Sequence, residues 1–495
     1  MRKYIKQKIC NTLDSIFSAE EVLKCTITNR DADKMMNLLQ DMQAAAIEIG
    51  ETIERTEGTG TETVQLLEDS CELFWEVSQA DISERERLCI DIHGKLELIR
   101  KQISELPEKI EAVFLPYKSS MWDSLESVWL AADADPDCDA YVVPIPYYDR
   151  NPDRSFRELH YEGEQFPDYV PVTHYDRYDF LERHPDMVFY HNPYDEHNIV
   201  TSVHPFFYTK NLKQYTDVLV YIPYFVLQDF APGNIAFAGK IAQFAQCTGV
   251  INADAVVVQS ENMRQYYIDS LVAVAGEGTR KIWENKILGL GSPKFDKVVS
   301  TTKDNVEIPN DWKRIMTKPD GEYKKVILYN IGVSALLEHS DRMIEKIRSV
   351  LCIFEENKDE IALLWRPHPL IRATIESMRP QLWLEYEQIV EEYKSAGWGI
   401  YDDSAELERT IALSDAYYGD LSSLVQLCQK VGMPVMLQRL ETMESISSET
   451  DKAELRAYIK RLDVKRRKDK VSDENENNGK NIWNQLKSIN ISLRC

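Results

Sequence analysis

Two apolar runs in the second half of the chain each end in residues that can bind a phosphate. Ile361–Trp365 is followed by Arg-Pro-His-Pro at 366–369, and a later run is followed by Gly-Asp-Leu-Ser-Ser at 419–423. Both runs predict buried parallel strands, and open α/β sheets bind ligands at the carboxyl ends of such strands. We therefore expect a pocket for a phosphorylated ligand with a histidine above it.

A cation and an imidazole stand together at the first of these strand ends. Residues i and i+2 of a strand share one face, so Arg366 and His368 are expected to point the same way. His368 is the candidate catalytic residue, because a positioned imidazole can donate to a phosphate oxygen or to a leaving group. Arg366 is a candidate for phosphate binding. The alternative for His368 is a structural role, which is the more common one for a lone histidine.

The second strand end predicts an anion site at the start of a helix. Gly419 permits a tight turn, and Ser422 and Ser423 open a helix predicted over 424–431. The first N–H groups of a helix lack intrahelical partners and attract anions. Ser422, Ser423 and Gly419 are therefore candidates for phosphate binding. The alternative is that Ser422 only caps its helix.

Weaker candidates of the same kind occur in the first half. Lys118 and Ser119 join a predicted strand to a predicted helix, and Lys294 follows a glycine-containing turn at 289–292. Strand–turn–helix junctions are common, so each candidate is weak by itself. Their shared position at strand carboxyl ends adds them to the predicted phosphate-binding set.

A histidine-rich segment after another predicted strand is the candidate acceptor side. It contains His191, Asn192, His197 and His204, which we expect to supply a general base or to bind the acceptor. The alternative is a metal site, but no His-Glu-x-x-His spacing occurs and no cysteine joins the group. The sequence therefore predicts no metal and requires no cofactor.

Composition narrows the class of protein. The chain has 495 residues and a formal net charge of -24, which disfavours nucleic acid and anionic lipid as bulk partners. Its nine cysteines show no Cys-x-x-Cys pair, so no disulfide framework is predicted. No uncharged stretch reaches the roughly 18 residues of a membrane helix. We expect a cytoplasmic protein, and peripheral contact with the inner face of the membrane stays open.

The pattern along the chain predicts four regions. Residues 1–110 form a helical extension that packs on the body or on a second copy of the chain, with a membrane-facing surface as the alternative. Alternating strands and helices over 111–300 and 301–440 predict two Rossmann-like domains. The first contains the candidate acceptor-side histidines, and the second contains most of the predicted phosphate-binding residues. Residues 441–495 are a polar tail with a terminal helix. Its basic run at 465–470 and the stretch at 472–479 are expected to be disordered.

The second half resembles the CDP-glycerol glycerophosphotransferases, the teichoic-acid primases and polymerases of bacterial cell-wall synthesis. The matching stretches are Ile251–Ser260, Lys286–Asp296, Lys325–Tyr329, Leu363–Leu370, Ala412–Leu424 and Gly432–Val435. Their order and spacing agree from about 250 to 440, residues 111–250 agree in outline, and residues 1–110 do not match. The resemblance implies a GT-B fold, in which two Rossmann-like domains face an interdomain cleft.

The resemblance also implies an activity. Glycerol phosphate passes from CDP-glycerol, or a related CDP-alcohol, to an acceptor hydroxyl that can be lipid-linked, and CMP is released. In this family the residues matching His368, Ser422 and Ser423 lie at the donor phosphates. The usual His-Gly turn is missing, because the corresponding segment Val220–Phe225 contains no histidine.

The missing turn leaves alternatives. Either His204 or His191 replaces the base, or the activity is altered or absent. A glycosyltransferase with another nucleotide-activated donor and a non-catalytic nucleotide-binding relative are therefore the rival interpretations.

Overall fold

A computed structural model describes residues 1–231, 233, 235–404, 406–438, 449–462 and 477–492. The predicted disordered stretches at 465–470 and 472–476 lie outside the described residues. Asn478 and Gly479, assigned to the same polar segment from the sequence, instead begin a helix. The chain forms two compact units, one of Met1–Glu111 with Pro136–Asp139, and one of Ala112–Asp135 with Ala140–Cys495.

Within residues 1–111 the chain forms four helices. They are α1 (Lys3–Asn29), α2 (Ala32–Glu57), α3 (Glu62–Gln79) and α4 (Ile82–Glu105). The side chains of Asp31, Thr61 and Asp81 accept hydrogen bonds from the first turns of α2, α3 and α4, which fixes where these helices begin. Apolar residues at helical spacing meet in a single buried cluster. The predicted helical extension is thus confirmed.

The second unit alternates strands and helices. The strands are β1 (Ile110–Leu115), β2 (Cys138–Val142), β3 (Tyr147–Arg150), β4 (Phe156–His160), β5 (Met187–Tyr190), β6 (Thr201–Val203), β7 (Val218–Tyr221), β8 (Ala255–Val257), β9 (Ile287–Leu288), β10 (Lys325–Ile331), β11 (Ile361–Pro367), β12 (Ile400–Tyr401), β13 (Ala416–Gly419) and β14 (Val435–Leu437). The helices are α5 (Glu126–Asp133), α6 (Phe180–Arg183), α7 (Thr209–Leu212), α8 (Ile235–Ala245), α9 (Thr248–Asn252), α10 (Glu261–Ala275), α11 (Arg280–Lys286), α12 (Pro293–Ser300), α13 (Asn310–Met316), α14 (Val333–His339), α15 (Asp341–Glu355), α16 (Ile371–Met378), α17 (Pro380–Ala396), α18 (Leu407–Leu413), α19 (Ser423–Lys430), α20 (Glu449–Arg461) and α21 (Asn478–Ser492).

The first sheet has the strand order β2-β1-β5-β7-β8-β9, and its pairs from β1 to β9 are parallel. β1, β5 and β7 are buried along their whole length, as expected for strands covered on both faces. The sequence pattern predicts one strand over 140–148, but this stretch is divided between two sheets, because β2 ends at Val142 and β3 joins an antiparallel sheet. The pattern also predicts a helix over 121–132, but its first part is a 3₁₀ turn, Ser119–Ser124.

The second sheet has the order β12-β11-β10-β13-β14, and all its pairs are parallel. Successive residues of the central strand β10 face opposite sides. Ile327 and Tyr329 pack in a cluster with α15 and α17, and Val326 and Leu328 pack in a second cluster with α18 and α19. This covering of both faces confirms the predicted GT-B-type α/β class: two Rossmann-like sheets with an all-helical extension before them.

A small antiparallel sheet, β4-β3-β6, was missed in the sequence. β4 lies in a stretch rich in tyrosine and proline that predicted irregular structure. Its exposed residues lack the apolar alternation that marks a half-buried strand.

Helix α12 connects the two parallel sheets within the second unit. Its Val298 lies in the apolar cluster of the second sheet. Its Asp296 accepts hydrogen bonds from Ser127 beside the first sheet and from the main-chain N–H groups of Asn478 and Gly479 at the start of α21. The motif at 291–296, quoted above for its resemblance, therefore fixes the C-terminal helix as well.

No helix among the described residues combines the length and the apolar character needed to cross a membrane.

Candidate functional site

His368 lies just beyond β11, half-buried above the edge of the second sheet. Its Nδ1 accepts a hydrogen bond of 3.1 Å from the Leu370 N–H, so the neutral ring carries its proton on Nε2. Burial lowers the pKa of His368 to about 4, which keeps the ring neutral near pH 7. Among the described residues, no group bonds Nε2. His368 therefore offers a hydrogen-bond donor to a ligand.

Arg366 is buried in an ion pair with Asp402. Its Nη1 also donates to Thr410 Oγ1 at 3.2 Å, and its Nη2 donates to the Ser404 carbonyl at 2.7 Å. Burial alone would raise the pKa of Asp402, but Arg366 and the hydroxyls of Ser404 and Thr410 outweigh it and hold the pKa below its ordinary value. The strand ends at Pro367, so His368 lies one residue beyond it, and the bonds of His368 and Arg366 go to different partners.

The turn at 419–423 takes the predicted form. Gly419 has φ +151°, and a Cβ at this position would collide with the main-chain oxygen of Asn330. Ser422 is the residue before α19, but its side chain makes no capping bond. Its Oγ donates instead to Asn330 Oδ1 at 3.3 Å. The capping explanation for Ser422 is thus wrong, and Ser423 is the first residue of the helix.

Asn330 is a site residue that the sequence analysis missed. It lies in β10, opposite Arg366 in β11 and opposite Gly419 in β13. Its Nδ2 donates to the Arg366 carbonyl at 2.9 Å, and its Oδ1 accepts from Ser422. The available signal was positional: Asn330 is the last residue of the strand that the pattern predicts over 325–330, at the strand end where ligands bind. The Arg366–His368 segment and the Ser422 turn are brought together through this amide.

Lys294 forms an ion pair at the edge of the first sheet. It is buried, and its Nζ bonds Asp123 Oδ2 at 2.5 Å. Nearby, Lys297 lies 2.9 Å from Glu126 and 3.8 Å from Glu408 of the second half. Burial would lower the pKa of Lys297, but the Glu126 carboxylate outweighs it and raises that pKa. These lysines hold carboxylates of the same chain.

Lys118 and Ser119 also have internal partners. The Ser119 N–H and Oγ donate to Glu162 Oε2 at 2.8 and 3.1 Å, and Tyr147 donates to Glu162 Oε1 at 2.6 Å. Lys118 Nζ donates to the Tyr147 hydroxyl at 3.1 Å, and burial lowers the pKa of Lys118. A carboxylate of this chain thus occupies the position predicted for a ligand phosphate.

His191 is fully enclosed. Its Nε2 accepts from the Tyr117 N–H at 3.1 Å, so its Nδ1 donates to Ser124 Oγ at 2.9 Å. Burial, with Lys294 as a second cause, lowers the pKa of His191 to about 3. A ring with both nitrogens bonded cannot take a proton, so this geometry suits a structural role. Asn192 beside it is also buried, and no described residue bonds its Oδ1.

His197 and His204 lie nearer the surface. His197 is exposed at the end of a 3₁₀ turn, Asp195–His197. His204 is half-buried after β6, stacked on Tyr148 with ring centroids 6.0 Å apart. Its Nδ1 accepts a long, 3.3 Å hydrogen bond from the Phe206 N–H. His204 directly follows β6, an edge strand of the small antiparallel sheet.

One group with metal-ligating atoms occurs among the described residues, and it includes none of the predicted histidines. It consists of Asp149, Glu158 and His160 on β3 and β4. Asp149 Oδ2 already accepts from His160 at 2.9 Å and from Arg157 at 3.0 Å. The guanidinium neutralises the carboxylate that a cation would need, so ion pairing accounts for this group.

A small pocket lies at the carboxyl ends of β7, β8 and β9. Ile222, Phe225, Leu227 and Met263 contribute apolar side chains to its lining. Gln259, its amide-bearing residue, bonds the main-chain N–H and carbonyl of Leu227 at 2.6 and 2.7 Å. The residues that line this pocket include no histidine.

No family model and no curated protein matches the chain. Several solved structures match the chain, all at low similarity. UDP-GlcNAc 2-epimerase of Methanocaldococcus jannaschii, in complex with UDP-GlcNAc and UDP, is 11% identical and covers 77% of this chain and 99% of its own, with a TM-score of 0.45. The wall teichoic acid polymerase TagF is 13% identical and covers 81% and 94%, with a TM-score of 0.42. OtsA is 12% identical and covers 77% and 98%, with a TM-score of 0.37. Values this low assign no activity to the chain.

Proposed function

We propose that this protein is a transferase that acts on a CDP-activated alcohol, with CDP-glycerol as the simplest donor. An acceptor hydroxyl attacks the phosphorus that bears the alcohol, and a new O–P bond forms. The bond from that phosphorus to the CMP oxygen breaks, and CMP leaves with the electron pair. The hydroxyl proton passes to a base.

The observation that carries this proposal is the pairing of His368 with the start of α19. A neutral imidazole with its proton on Nε2 is a donor to a phosphate oxygen, and the N–H groups at the start of a helix favour an anion. Both stand at the carboxyl edge of a parallel sheet, joined through Asn330. Fixed donors at a developing negative charge are the main requirement of phosphoryl transfer.

Within this proposal, His368, Ser423 and the helix-start N–H groups hold the diphosphate. Arg366 contributes indirectly, because its ion pair with Asp402 fixes the end of β11. His204 is the proposed base. Its long bond from the Phe206 N–H must break before Nδ1 can take a proton.

A donor screen tests the proposal. Purified protein is incubated with CDP-glycerol and glycerol-containing acceptors, lipid-linked and free, and CMP release is measured. Calorimetry with CDP-glycerol and CMP measures binding separately. We expect CMP release that requires both donor and acceptor. Turnover of a UDP-sugar with none of CDP-glycerol would replace the proposal with a glycosyltransferase.

A non-catalytic nucleotide-binding protein is the second candidate. One observation favours it: His191 is fully bonded, and the residues that line the pocket at the ends of β7, β8 and β9 include no histidine. Tight binding of CDP-glycerol without CMP release, with every acceptor supplied, would support this candidate.

A further inference from the structure

Asn330 links two parts of the proposed site that are far apart in the sequence. It is 4% exposed in the central strand of the second sheet. Its side chain bonds the Arg366 carbonyl, two residues before His368, and the Ser422 hydroxyl, one residue before α19. Its main-chain oxygen accepts from the Asp420 N–H at 3.1 Å. Three strand ends therefore meet at one residue.

The chemistry of these bonds fixes the direction of each donor. A carbonyl oxygen can only accept, so Nδ2 of Asn330 must face Arg366 and Oδ1 must face Ser422. Because an amide oxygen also only accepts, the Ser422 hydroxyl has to donate its proton to it. That proton is then not available to a phosphate. Ser423, the first residue of α19, is under no such constraint from Asn330.

We propose that Asn330 is a positioning residue, which holds the His368 segment and the Ser422 turn in register and leaves Ser423 with the helix-start N–H groups to bind the phosphate. This inference rests on the proposed function and goes beyond it. It divides the Ser422–Ser423 pair into a residue that fixes the turn and a residue that contacts the ligand.

The kinetic test compares Asn330→Ala, Ser422→Ala and Ser423→Ala. We expect Asn330→Ala to lower kcat for CMP release by about tenfold, because His368 loses its fixed place, with little change in KM. Ser422→Ala should add nothing to Asn330→Ala, since both remove the same link. Ser423→Ala should raise KM instead, and its effect should add to that of Asn330→Ala.

Asn357→Ala is the matched control, because the Asn357 side chain also donates to a main-chain carbonyl, at 2.8 Å, within the same half of the chain. It should leave kcat unchanged. Wild-type kcat in Asn330→Ala, or additive effects of Asn330→Ala and Ser422→Ala, would overturn the proposal. If Asn330→Ala does not fold, Asn330→Ser replaces it, since serine is too short to bridge both partners.

A second readout needs no turnover and separates this inference from the proposed function. The imidazole signals of histidine-labelled protein are titrated by NMR, with His368→Gln to assign His368. Without the Asn330 side chain, water should reach the segment that carries His368. The pKa of His368 should therefore rise from about 4 toward its ordinary value in Asn330→Ala. It should not change in Asn357→Ala. An unchanged titration would overturn the positioning role even if CMP release is observed. The expected rise in a protein that releases no CMP would leave the positioning role intact and refute the proposed function alone.

Discussion

The carboxyl edges of the two parallel sheets differ in where their charged groups find partners. At the first sheet, Lys294 bonds Asp123, Ser119 bonds Glu162, and both nitrogens of His191 are occupied. At the second sheet, no described residue bonds His368 Nε2, and Ser422 bonds Asn330 instead of capping α19. The same residue types at equivalent strand ends thus stabilise the fold in one half and offer donors in the other.

A residue of the right type at a strand end is therefore not enough to form a ligand site. A nearby carboxylate of the same chain, such as Glu162 or Asp402, can satisfy a cation or a helix start as fully as a ligand phosphate would. Four experiments test whether the charged groups at the two sheet edges differ in this way.

Arg366 should stabilise the fold, as Lys294 and the other paired groups of the first sheet are expected to do. We expect Arg366→Ala to lower the free energy of unfolding by about 3–5 kcal/mol, because it leaves the Asp402 charge buried without its partner. Urea denaturation measures the change. Arg372→Ala, which breaks an exposed pair with Glu376, is the control and should cost less than about 1 kcal/mol. Equal stability of the two variants would return Arg366 to the set of ligand-binding candidates.

The two histidines should make unfolding depend on pH in the same direction. Folded His368 and His191 have pKa values of about 4 and about 3, below the unfolded value, so between pH 6.5 and 5 the unfolded chain binds more protons. Each therefore makes stability fall as pH falls, by at most about 1.4 kcal/mol per pH unit. Asp195, whose pKa burial raises to about 6, acts in the opposite direction.

Variants isolate the contribution of each histidine. The pH slope of the unfolding free energy should be smaller in His368→Gln and in His191→Gln than in the wild type. An unchanged slope in His368→Gln would show that the ring is hydrated in the folded protein, which would weaken its assignment as a fixed neutral donor.

His368 should affect turnover more than stability. We expect His368→Ala to lower the rate of CMP release by at least roughly tenfold, the scale for loss of a positioned charge-stabilising group. The melting temperature should change little, because the ring lies beyond the strand and is half-buried. His93→Ala, at a half-exposed position in α4, is the control for the loss of an imidazole. A wild-type rate in His368→Ala would end its proposed role.

Glu162 gives the smallest expected effect. Glu162→Gln keeps the shape of the side chain but weakens the bonds from Ser119 and Tyr147, so we expect a loss of about 1 kcal/mol in unfolding free energy. Affinity for CDP-glycerol, measured by calorimetry, should not change. Tighter binding in this variant would mean that Glu162 competes with the donor phosphate, and the first sheet would then belong to the site.

Much of the fold could be predicted because its signals are local. The apolar runs at 325–329 and 361–365 are too continuous for exposed strands, and both became buried strands of a parallel sheet. Apolar residues at helical spacing predicted α2 and α3. β4 lacks such a pattern, and it was missed for that reason.

The sequence by itself also determined which residues stand at the strand ends, since chain order and apolar pattern place His368 and Ser422 there. Which of these residues keep a donor for a ligand depends on the tertiary structure. Asp402 lies 36 positions beyond Arg366, and Glu162 lies 43 positions beyond Ser119. Electrostatic pairing depends on distance in space and not on separation along the chain. The fold that brings the strand ends together also brings oppositely charged residues next to them.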